Sequence, residues 1–376
     1  MIGVFRHELG RIFSLRPVFS VMIVALGLYA LLYPQPYLAE ALRLTPVAVV
    51  DQDQTTTSRD LVRRLDASPD VAVASVLPDF PAAQRAVLAR EVSGILVVPE
   101  GFERELLRGN PSPVALYADG SYFLVYQRAA LGVSAIARTL GAEVEVRRLI
   151  GLGVDAPLAV AAANPMPLTT IPLFNPQEGY ATYVLPAAFV LILQQTLLIG
   201  VGLLGTLPGA KTGEPEGPPA ASPFATVAGK LLAYLALEAV ILPLYLVVLP
   251  YLYGIPRLGG VLPMLLFALP FVLATGALGL IVATLFRTQL AVQLVMAALG
   301  MPFFFLSGFS WPVEAMPQAI RWLASPVPST GAIDGFVALG QLGATLSDVR
   351  PQVLTLLVLS AVYVAGAVAL EARARR

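Results

Sequence analysis

Long runs without a charged side chain recur along this sequence and determine its predicted architecture. A helix needs about 20 consecutive, mostly apolar residues to cross the hydrocarbon core of a bilayer. Six runs reach that length, and the third contains one acidic residue, Glu238. They cover residues 17–39, 179–210, 231–253, 258–286, 288–313 and 351–370. The pattern predicts an α-helical polytopic membrane protein with six transmembrane helices.

The chain between the first two runs has a different pattern. Residues 38–178 hold 12 basic and 16 acidic residues, more than half of all the charge in the chain. Four β-type segments begin near residues 45, 71, 94 and 113, with amphipathic helical patterns between them and one long helix over about 122–149. Alternating strands and helices predict an inserted α/β domain, large enough to fold by itself.

Two further apolar segments fit neither a span nor a free loop. Residues 1–16 form a basic amphipathic pattern, which predicts an interfacial helix that leads into the first span over 17–37. Residues 305–344 are too interrupted by proline and glycine to cross a membrane, yet too apolar for a solvated loop. We expect two short helices there, over about 317–324 and 331–342, that either re-enter the outer leaflet or pack on the bundle of the membrane region 179–376.

Basic residues near the ends of the spans predict the orientation of the chain. With the N-terminus inside, nine basic residues lie at inner ends, whereas the outer ends of the last four spans carry three. The inner nine are Arg6, Arg11, Arg16, Lys211, Lys230, Arg287, Arg373, Arg375 and Arg376. The outer three are Arg257, Arg321 and Arg350. Both termini are therefore expected in the cytoplasm.

Composition excludes several classes of protein. The chain is 57% hydrophobic and 13% charged with a net charge of zero, whereas soluble domains carry about 25% charged residues. We therefore expect a protein in contact with the lipid bilayer and with no nucleic acid. Cysteine is absent and His7 is the only histidine, so thiolate metal sites and thiol nucleophiles are excluded and a histidine-based site is disfavoured.

Few residues suggest chemistry. Residues 205–212 approach a phosphate-binding loop, but Ala210 replaces the second glycine and the segment follows a membrane helix, so the chain is expected to have no ATPase of its own. Serine-hydrolase motifs are also absent. Asp51, Asp53 and Asp60 could form a cation site, but their context favours the alternative of a strand end followed by a capped helix.

Polar groups inside the spans leave two interpretations open. Glu238 is the one ionisable residue deep in a span, and such residues usually face the bundle interior or a wet cavity. It could contact substrate or a proton, or it could hydrogen-bond between helices, with Gln194 or Gln195 as the partner. The second interpretation is favoured.

A ridge of Ala361, Ala365 and Ala369 on the last span suits close helix packing.

Several motifs resemble one family of membrane proteins. The insertion opens with VVDQDQTTTSRDLVRRLDAS and GILVVPEGFERELLRG, and the second span is entered through LFNPQEGYATYVLPAAFVLILQQTLL. The segment before the last span reads FFLSGFSWPVEAMP and then PVPSTGAIDGF, which is the most specific match. Together with the order of the spans, these motifs resemble the permease subunits of ABC-2 type exporters. The resemblance is to the subgroup with a large periplasmic domain between the first and second transmembrane helices.

This resemblance implies a function and partners. Such a permease pairs with a second permease subunit, alike or different, and with a cytoplasmic dimer of ABC ATPases that bind ATP-Mg. It moves a hydrophobic or amphipathic drug, lipid or peptide outward across a bacterial inner membrane. The permease itself is not an enzyme and holds no cofactor. A periplasmic membrane-fusion adaptor and an outer-membrane channel are further implied partners.

The resemblance also implies roles for individual residues. The stretch 205–230 departs from the charged RERExGTxE pattern of many relatives, and only its two ends resemble that pattern. ATPase coupling is assigned to Phe5, Glu8, Arg11, Gly205, Thr206, Gly229 and Lys230. The translocation path is assigned to Gln194, Gln195 and Glu238. The outer gate is assigned to Ser307, Gly308 and Trp311.

Two other functions remain as alternatives. The first is a membrane-anchored periplasmic binding or scaffold component of a secretion system, with no transport of its own. An ATPase encoded beside this chain would favour the exporter over the scaffold. The second, an intramembrane enzyme, is the weaker alternative because no catalytic constellation can be assembled.

Overall fold

The computed structural model of the protein describes residues 1–207, 221–286 and 288–375, and most of them are helical. The chain forms two compact units. One consists of Met1–Glu40 together with Pro172–Arg376, and the other is the inserted segment Ala41–Ile171. Six helical stretches of the described chain are long and apolar enough to cross a membrane, as the hydropathy pattern predicts.

The first unit begins with an amphipathic helix and the first span. The helices are α1 (Ile2–Ser14), α2 (Arg16–Phe19) and α3 (Leu26–Leu32), and a π-helical turn over Ser20–Ala25 joins the last two. Leu15 has an extended backbone and separates α1 from α2. Pro17 is the second residue of α2, directly after Arg16. Proline disfavours a helical conformation in the residue before it, but Arg16 here is helical, so the break falls one residue earlier.

The inserted unit is a four-stranded sheet covered by helices. Its elements are β1 (Thr45–Asp51), α4 (Thr56–Asp66), β2 (Val71–Val76), α5 (Phe80–Leu88), β3 (Gly94–Val98), α6 (Phe102–Arg108), β4 (Ala115–Ala118), α7 (Phe123–Gly151) and α8 (Ala156–Ala163). The strand order is β2-β1-β3-β4, with β4 antiparallel to β3 and the other neighbours parallel. The predicted strands and helices are found with ends shifted by only a few residues.

Both faces of the central strands β1 and β3 are buried, as is usual for parallel strands. Val47, Val49 and Leu96 pack on the side of α4, α6 and α7. Ala48 and Val50 pack with α5 on the other side. Alternate residues of one strand therefore serve two small cores, which explains why β1 is almost continuously apolar.

The remaining helices of the first unit complete the bundle. They are α9 (Tyr180–Thr206), α10 (Pro223–Pro243), α11 (Leu249–Leu252), α12 (Val261–Leu285), α13 (Gln289–Leu306), α14 (Gln318–Ala324), α15 (Pro328–Gly340) and α16 (Arg350–Ala374). A π-helical turn over Leu244–Val248 follows Pro243 and joins α10 to α11. Helices α9 and α12 are the most buried of the spans, so they form the centre of the bundle.

The third span begins eight residues earlier than the hydropathy pattern predicts. Ser222 caps α10, because its side chain accepts a hydrogen bond from the Ala225 amide, and Pro223 occupies the first helical position. Lys230 therefore lies within a helix, as does Gly229, and the predicted loop 205–230 is helical at both ends. The hydropathy pattern misplaced this boundary because it stopped at the charge of Lys230.

Candidate functional site

Helix α1 packs along the first part of α10. Its buried residues are Val4, Glu8 and Ile12, which repeat every four positions and so share one face. Gly229 of α10 lies under this face, and a Cβ atom added there would be 2.8 Å from both the Met1 carbonyl oxygen and the Val4 Cβ. Because real Cβ atoms do not approach so closely, glycine allows α1 to contact the backbone of α10 directly.

A buried polar network ties α1 to two spans. The Glu8 carboxylate, 2% exposed, accepts a hydrogen bond from the Tyr234 hydroxyl at 2.7 Å and pairs with Arg11 at 3.2 Å. The Arg11 guanidinium also donates to the Leu204 carbonyl oxygen at 2.7 Å. Leu204 lies in the last turn of α9, where carbonyl groups lack partners inside the helix and the helix dipole favours a cation. Three helices thus meet at one ion pair.

The other described residues assigned to coupling lie on the same three helices as this network but have different contacts. Phe5 and Lys230 are half-buried. The Thr206 hydroxyl turns back onto its own helix and donates to the Gly202 and Leu203 carbonyl oxygens. Residues 208–220, which include half of the loop predicted to couple and part of the phosphate-loop-like stretch, lie outside the described residues.

The two glutamines of α9 bind different neighbours. The Gln194 side-chain oxygen accepts a hydrogen bond from the Ser329 amide at 2.7 Å, so Gln194 caps the N-terminus of α15 from another helix. The Gln195 amide donates instead to the Met296 carbonyl oxygen of α13. Both side chains hydrogen-bond between elements, which is the favoured interpretation for polar groups inside spans.

Glu238 has no such partner. It is 2% exposed, and its Oε2 atom makes no hydrogen bond to any residue that the structure describes. Neither Gln194 nor Gln195 is the partner that the sequence suggested, because they hydrogen-bond to α15 and α13. Glu238 is therefore a carboxyl group buried without a counter-charge, an arrangement that burial makes costly.

A cavity of about 470 Å³ lies between the first span, α9 and α13. Gln195 and Thr196 contribute to its wall, and four aromatic residues line it. These are Tyr29, Tyr33, Phe303 and Phe304. A space of this size, with apolar walls and a few polar groups, suits a hydrophobic or amphipathic molecule.

The residues assigned to the outer gate lie where α13 ends. Ser307 is fully buried and its hydroxyl donates to the Phe304 carbonyl oxygen at 2.7 Å, while Gly308 has a φ of +81°. The Tyr183 hydroxyl of α9 donates to the Phe309 carbonyl oxygen at 2.6 Å, and the two rings stack. Trp311 is exposed. The turn after α13 is thus fixed against α9.

Two of the three clustered acids, Asp51 and Asp53, bind groups at helix starts, whereas Asp60 pairs with two arginines of its own helix α4. The Asp51 carboxylate accepts hydrogen bonds from the Asp53 and Gln54 amides and from the Ser58 hydroxyl. Thr55 and Ser58 form a capping box at the start of α4. Burial raises the pKa of Asp53, but hydrogen bonds from Thr55 and from backbone amides that include Glu103 outweigh it, so this pKa lies below its usual value.

These contacts confirm the capping interpretation of the cluster. Within the described chain, no group of three or more His, Asp or Glu side chains is arranged to hold a metal ion.

Three structural contacts could not be read from hydropathy. Glu40 caps the start of α9, because its carboxylate accepts hydrogen bonds from the Thr182 amide at 3.2 Å and from the Thr182 hydroxyl at 3.1 Å. The Gln341 side chain donates to the Thr182 carbonyl oxygen. The third is the hydrogen bond from the Tyr234 hydroxyl of α10 to Glu8 of α1.

The bundle, with its six candidate spans, defines a class: a polytopic membrane protein. The chain belongs to the ABC-2 family transporter proteins, whose family description matches residues 17–369. It is 23% identical to the inner membrane transport permease YhhJ of Escherichia coli K12, over 86% of this chain and 84% of that protein.

The chain is also 31% identical to the probable multidrug ABC transporter permease YbhS of Escherichia coli K12. That similarity spans only 27% of each chain. The family shown by these comparisons has transport permeases as its members, and such subunits work with a separate ABC ATPase.

Proposed function

We propose that this chain is the transmembrane permease subunit of an ATP-driven exporter of the subgroup with a large periplasmic domain. One observation supports the proposal beyond family membership. The N-terminal helix α1 is joined through Glu8 and Arg11 to the Leu204 end of α9 and to Tyr234 of α10. A displacement of α1 is thereby transmitted to both spans, because the buried ion pair is costly to break.

ATP is hydrolysed, in this proposal, on a cytoplasmic dimer of ABC ATPases that binds beneath α1 and the 205–230 segment. Closure of the ATPases moves α1, and α9 and α10 move with it. The accessibility of the cavity between the first span, α9 and α13 then changes. Its aromatic wall and Gln195 support a hydrophobic or amphipathic substrate, such as a drug, a lipid or a peptide.

The same cavity supports a second permease subunit. In the most apolar stretch of α13, only 11% of the residues are buried within this chain. In that of the first span the share is 28%. A second copy or a related subunit that covers these helices would close the cavity from the other side. The path is then completed at the subunit boundary, with the Ser307–Trp311 turn as its outer gate.

The proposed location is a bacterial inner membrane with both termini in the cytoplasm. The bias of basic residues towards the inner ends of the spans supports this orientation. The inserted unit Ala41–Ile171 then faces the periplasm, where it meets a membrane-fusion adaptor that leads to an outer-membrane channel.

Purification with partners tests the proposal. The full chain is isolated from its native membrane in mild detergent, and the accompanying proteins are identified by mass spectrometry. We expect an ATPase with Walker motifs in stoichiometric amount, and ATP turnover that rises when the complex is placed in lipid nanodiscs. Recovery without an ATPase, from cells that produce one encoded beside this chain, would favour the scaffold function instead.

A further inference from the structure

An exposed apolar stretch ends the inserted unit and leads into α9. We refer to residues 156–174 as the apolar linker. Seven of its nineteen residues are large hydrophobic side chains between 41% and 87% exposed. They are Leu158, Val160, Met166, Leu168, Ile171, Leu173 and Phe174. The preceding 115 residues, 41–155, contain only twelve such side chains, so exposure of this kind is concentrated in the linker.

The apolar linker is anchored without burying these side chains. Within α8 the residue packed most deeply is Ala159, which is fully buried, whereas Leu158 and Val160 on either side of it remain exposed. None of the seven belongs to the cores formed on the two faces of the sheet. Met166 and Leu168 follow α8 and contribute one apolar wall of an open groove beside α7. Another surface must therefore cover them.

The charge pattern indicates which surface this is. Residues 156–177 contain no aspartate, glutamate, lysine or arginine. A protein interface normally has a polar rim, whereas the apolar side of a bilayer boundary accepts long apolar side chains and makes charged groups in the hydrocarbon costly. A stretch of 22 uncharged residues therefore suits lipid better than a protein partner.

The end of the linker is also next to a span. Asn175 and Gly179 exchange two hydrogen bonds of 2.9 Å, and this turn connects the linker to α9. Tyr180 and Tyr183 open α9, and Tyr180 contacts Tyr37 at the end of the first span. Tyrosine rings clustered at the ends of spans mark the boundary between hydrocarbon and water. Leu173 is seven residues from Tyr180, within about 25 Å along an extended chain.

We propose that the apolar linker binds the bilayer surface by inserting its exposed hydrophobic side chains into the leaflet on the side of the inserted unit. The ligand is a lipid surface rather than a protein. The segment therefore serves as a membrane anchor between the sheet unit and α9. This inference concerns lipid contact and does not depend on the direction of transport.

Site-directed spin labelling tests the proposal, because the chain contains no cysteine and each introduced thiol is unique. Nitroxide labels are placed at Met166→Cys and Leu168→Cys in the full chain. The control is Leu88→Cys on α5, whose leucine is 77% exposed, close to the 82% of Leu168. Each protein is reconstituted into vesicles of phosphatidylethanolamine and phosphatidylglycerol. Collisions of the labels with oxygen, which enters lipid, and with a water-soluble nickel chelate are then measured.

The labels at positions 166 and 168 are expected to collide with oxygen several-fold more, relative to the nickel chelate, than the label at position 88. A label at 168 that meets the chelate as freely as the label at 88 would overturn the proposal, because the side chain would then be in water. Shielding of the label from both reagents would also overturn it and would indicate a protein partner. Leu158→Cys repeats the measurement on α8 if labelling at 168 disturbs the segment.

Discussion

Glu8 shows how a single residue can join elements that are distant in sequence. Its carboxylate is almost completely buried, yet it has two partners, Tyr234 and Arg11. A buried ion pair stabilises a fold only if its remaining hydrogen-bonding groups are also satisfied. The Leu204 carbonyl oxygen meets that requirement for Arg11. These contacts join α1 to α9 and α10, and the role of α1 in ATPase coupling stays a prediction.

Removal of the Tyr234 hydroxyl should lower the stability of the protein less than removal of the Glu8 carboxylate. Tyr234→Phe deletes one hydrogen bond to a charged group and should cost about 1–3 kcal/mol of stability. Glu8→Ala leaves the Arg11 charge buried without its carboxylate and should cost about 3–5 kcal/mol. Thermal unfolding of the purified variants in detergent shows whether their stabilities differ in this order. Tyr251→Phe, at an exposed tyrosine, is the matched control and should behave like the unaltered chain.

Glu40 offers a second test at the scale of one residue. Its carboxylate binds the amide and the hydroxyl of Thr182 in the first turn of α9. Glu40→Ala should cost about 0.5–2 kcal/mol, the usual effect of removing a helix cap. Glu100→Ala, at an exposed glutamate, should leave the unfolding temperature unchanged. Equal effects of the two substitutions would show that the contact at Thr182 does not stabilise the helix.

The elements follow the sequence closely where the physical signal is local. The strand at 45–51 and the capped helix after it were predicted from apolar runs and capping residues, and both are found. Contacts between elements were not predictable in this way. Gln194 was assigned to the translocation path, but its side chain caps α15, which lies 135 residues further along the chain. Hydropathy does not encode which distant amide an interior glutamine binds.

The role of Gln194 as a cap predicts a local effect. Gln194→Leu removes the acceptor of the Ser329 amide while keeping an apolar side chain of similar size. We expect faster hydrogen exchange at the start of α15, because an unpaired amide destabilises the first helical turn. Gln195→Leu, in the neighbouring position, should leave exchange in α15 unchanged. Equal protection of α15 in both variants would contradict the capping role.

Gly229 predicts an effect on helix packing. A side chain at this position requires α1 to move away from α10, because Met1 and Val4 lie within 2.8 Å of the added atom. Gly229→Val should therefore increase protease cleavage within α1. Gly10→Ala provides a control on α1 itself, since a Cβ atom there meets nothing within 4 Å and alanine favours a helix. Increased cleavage in both variants would indicate general loss of helix rather than displacement.

For the whole molecule, composition indicated a membrane protein, and the motifs that resemble ABC-2 permeases indicated the family, which the family match confirms. The boundary of the third span was not predicted correctly, because the Ser222 cap and Pro223 extend the helix beyond Lys230. The buried network around Glu8 was only partly foreseen: Glu8 and Arg11 were assigned to coupling, but their partners Tyr234 and Leu204 were not. Those partners come from helices that meet only in the folded bundle.

The central claim is that α1 lies in the cytoplasm and contacts an ABC ATPase. Cross-linking in native membranes tests it directly, with a photoreactive group attached at His7→Cys on the exposed side of α1 and, separately, at Trp311→Cys after α13. Both side chains are exposed in this structure. We expect a cross-link to the ATPase from position 7 and none from position 311. A cross-link from position 311 and none from position 7 would contradict both the orientation and the coupling site.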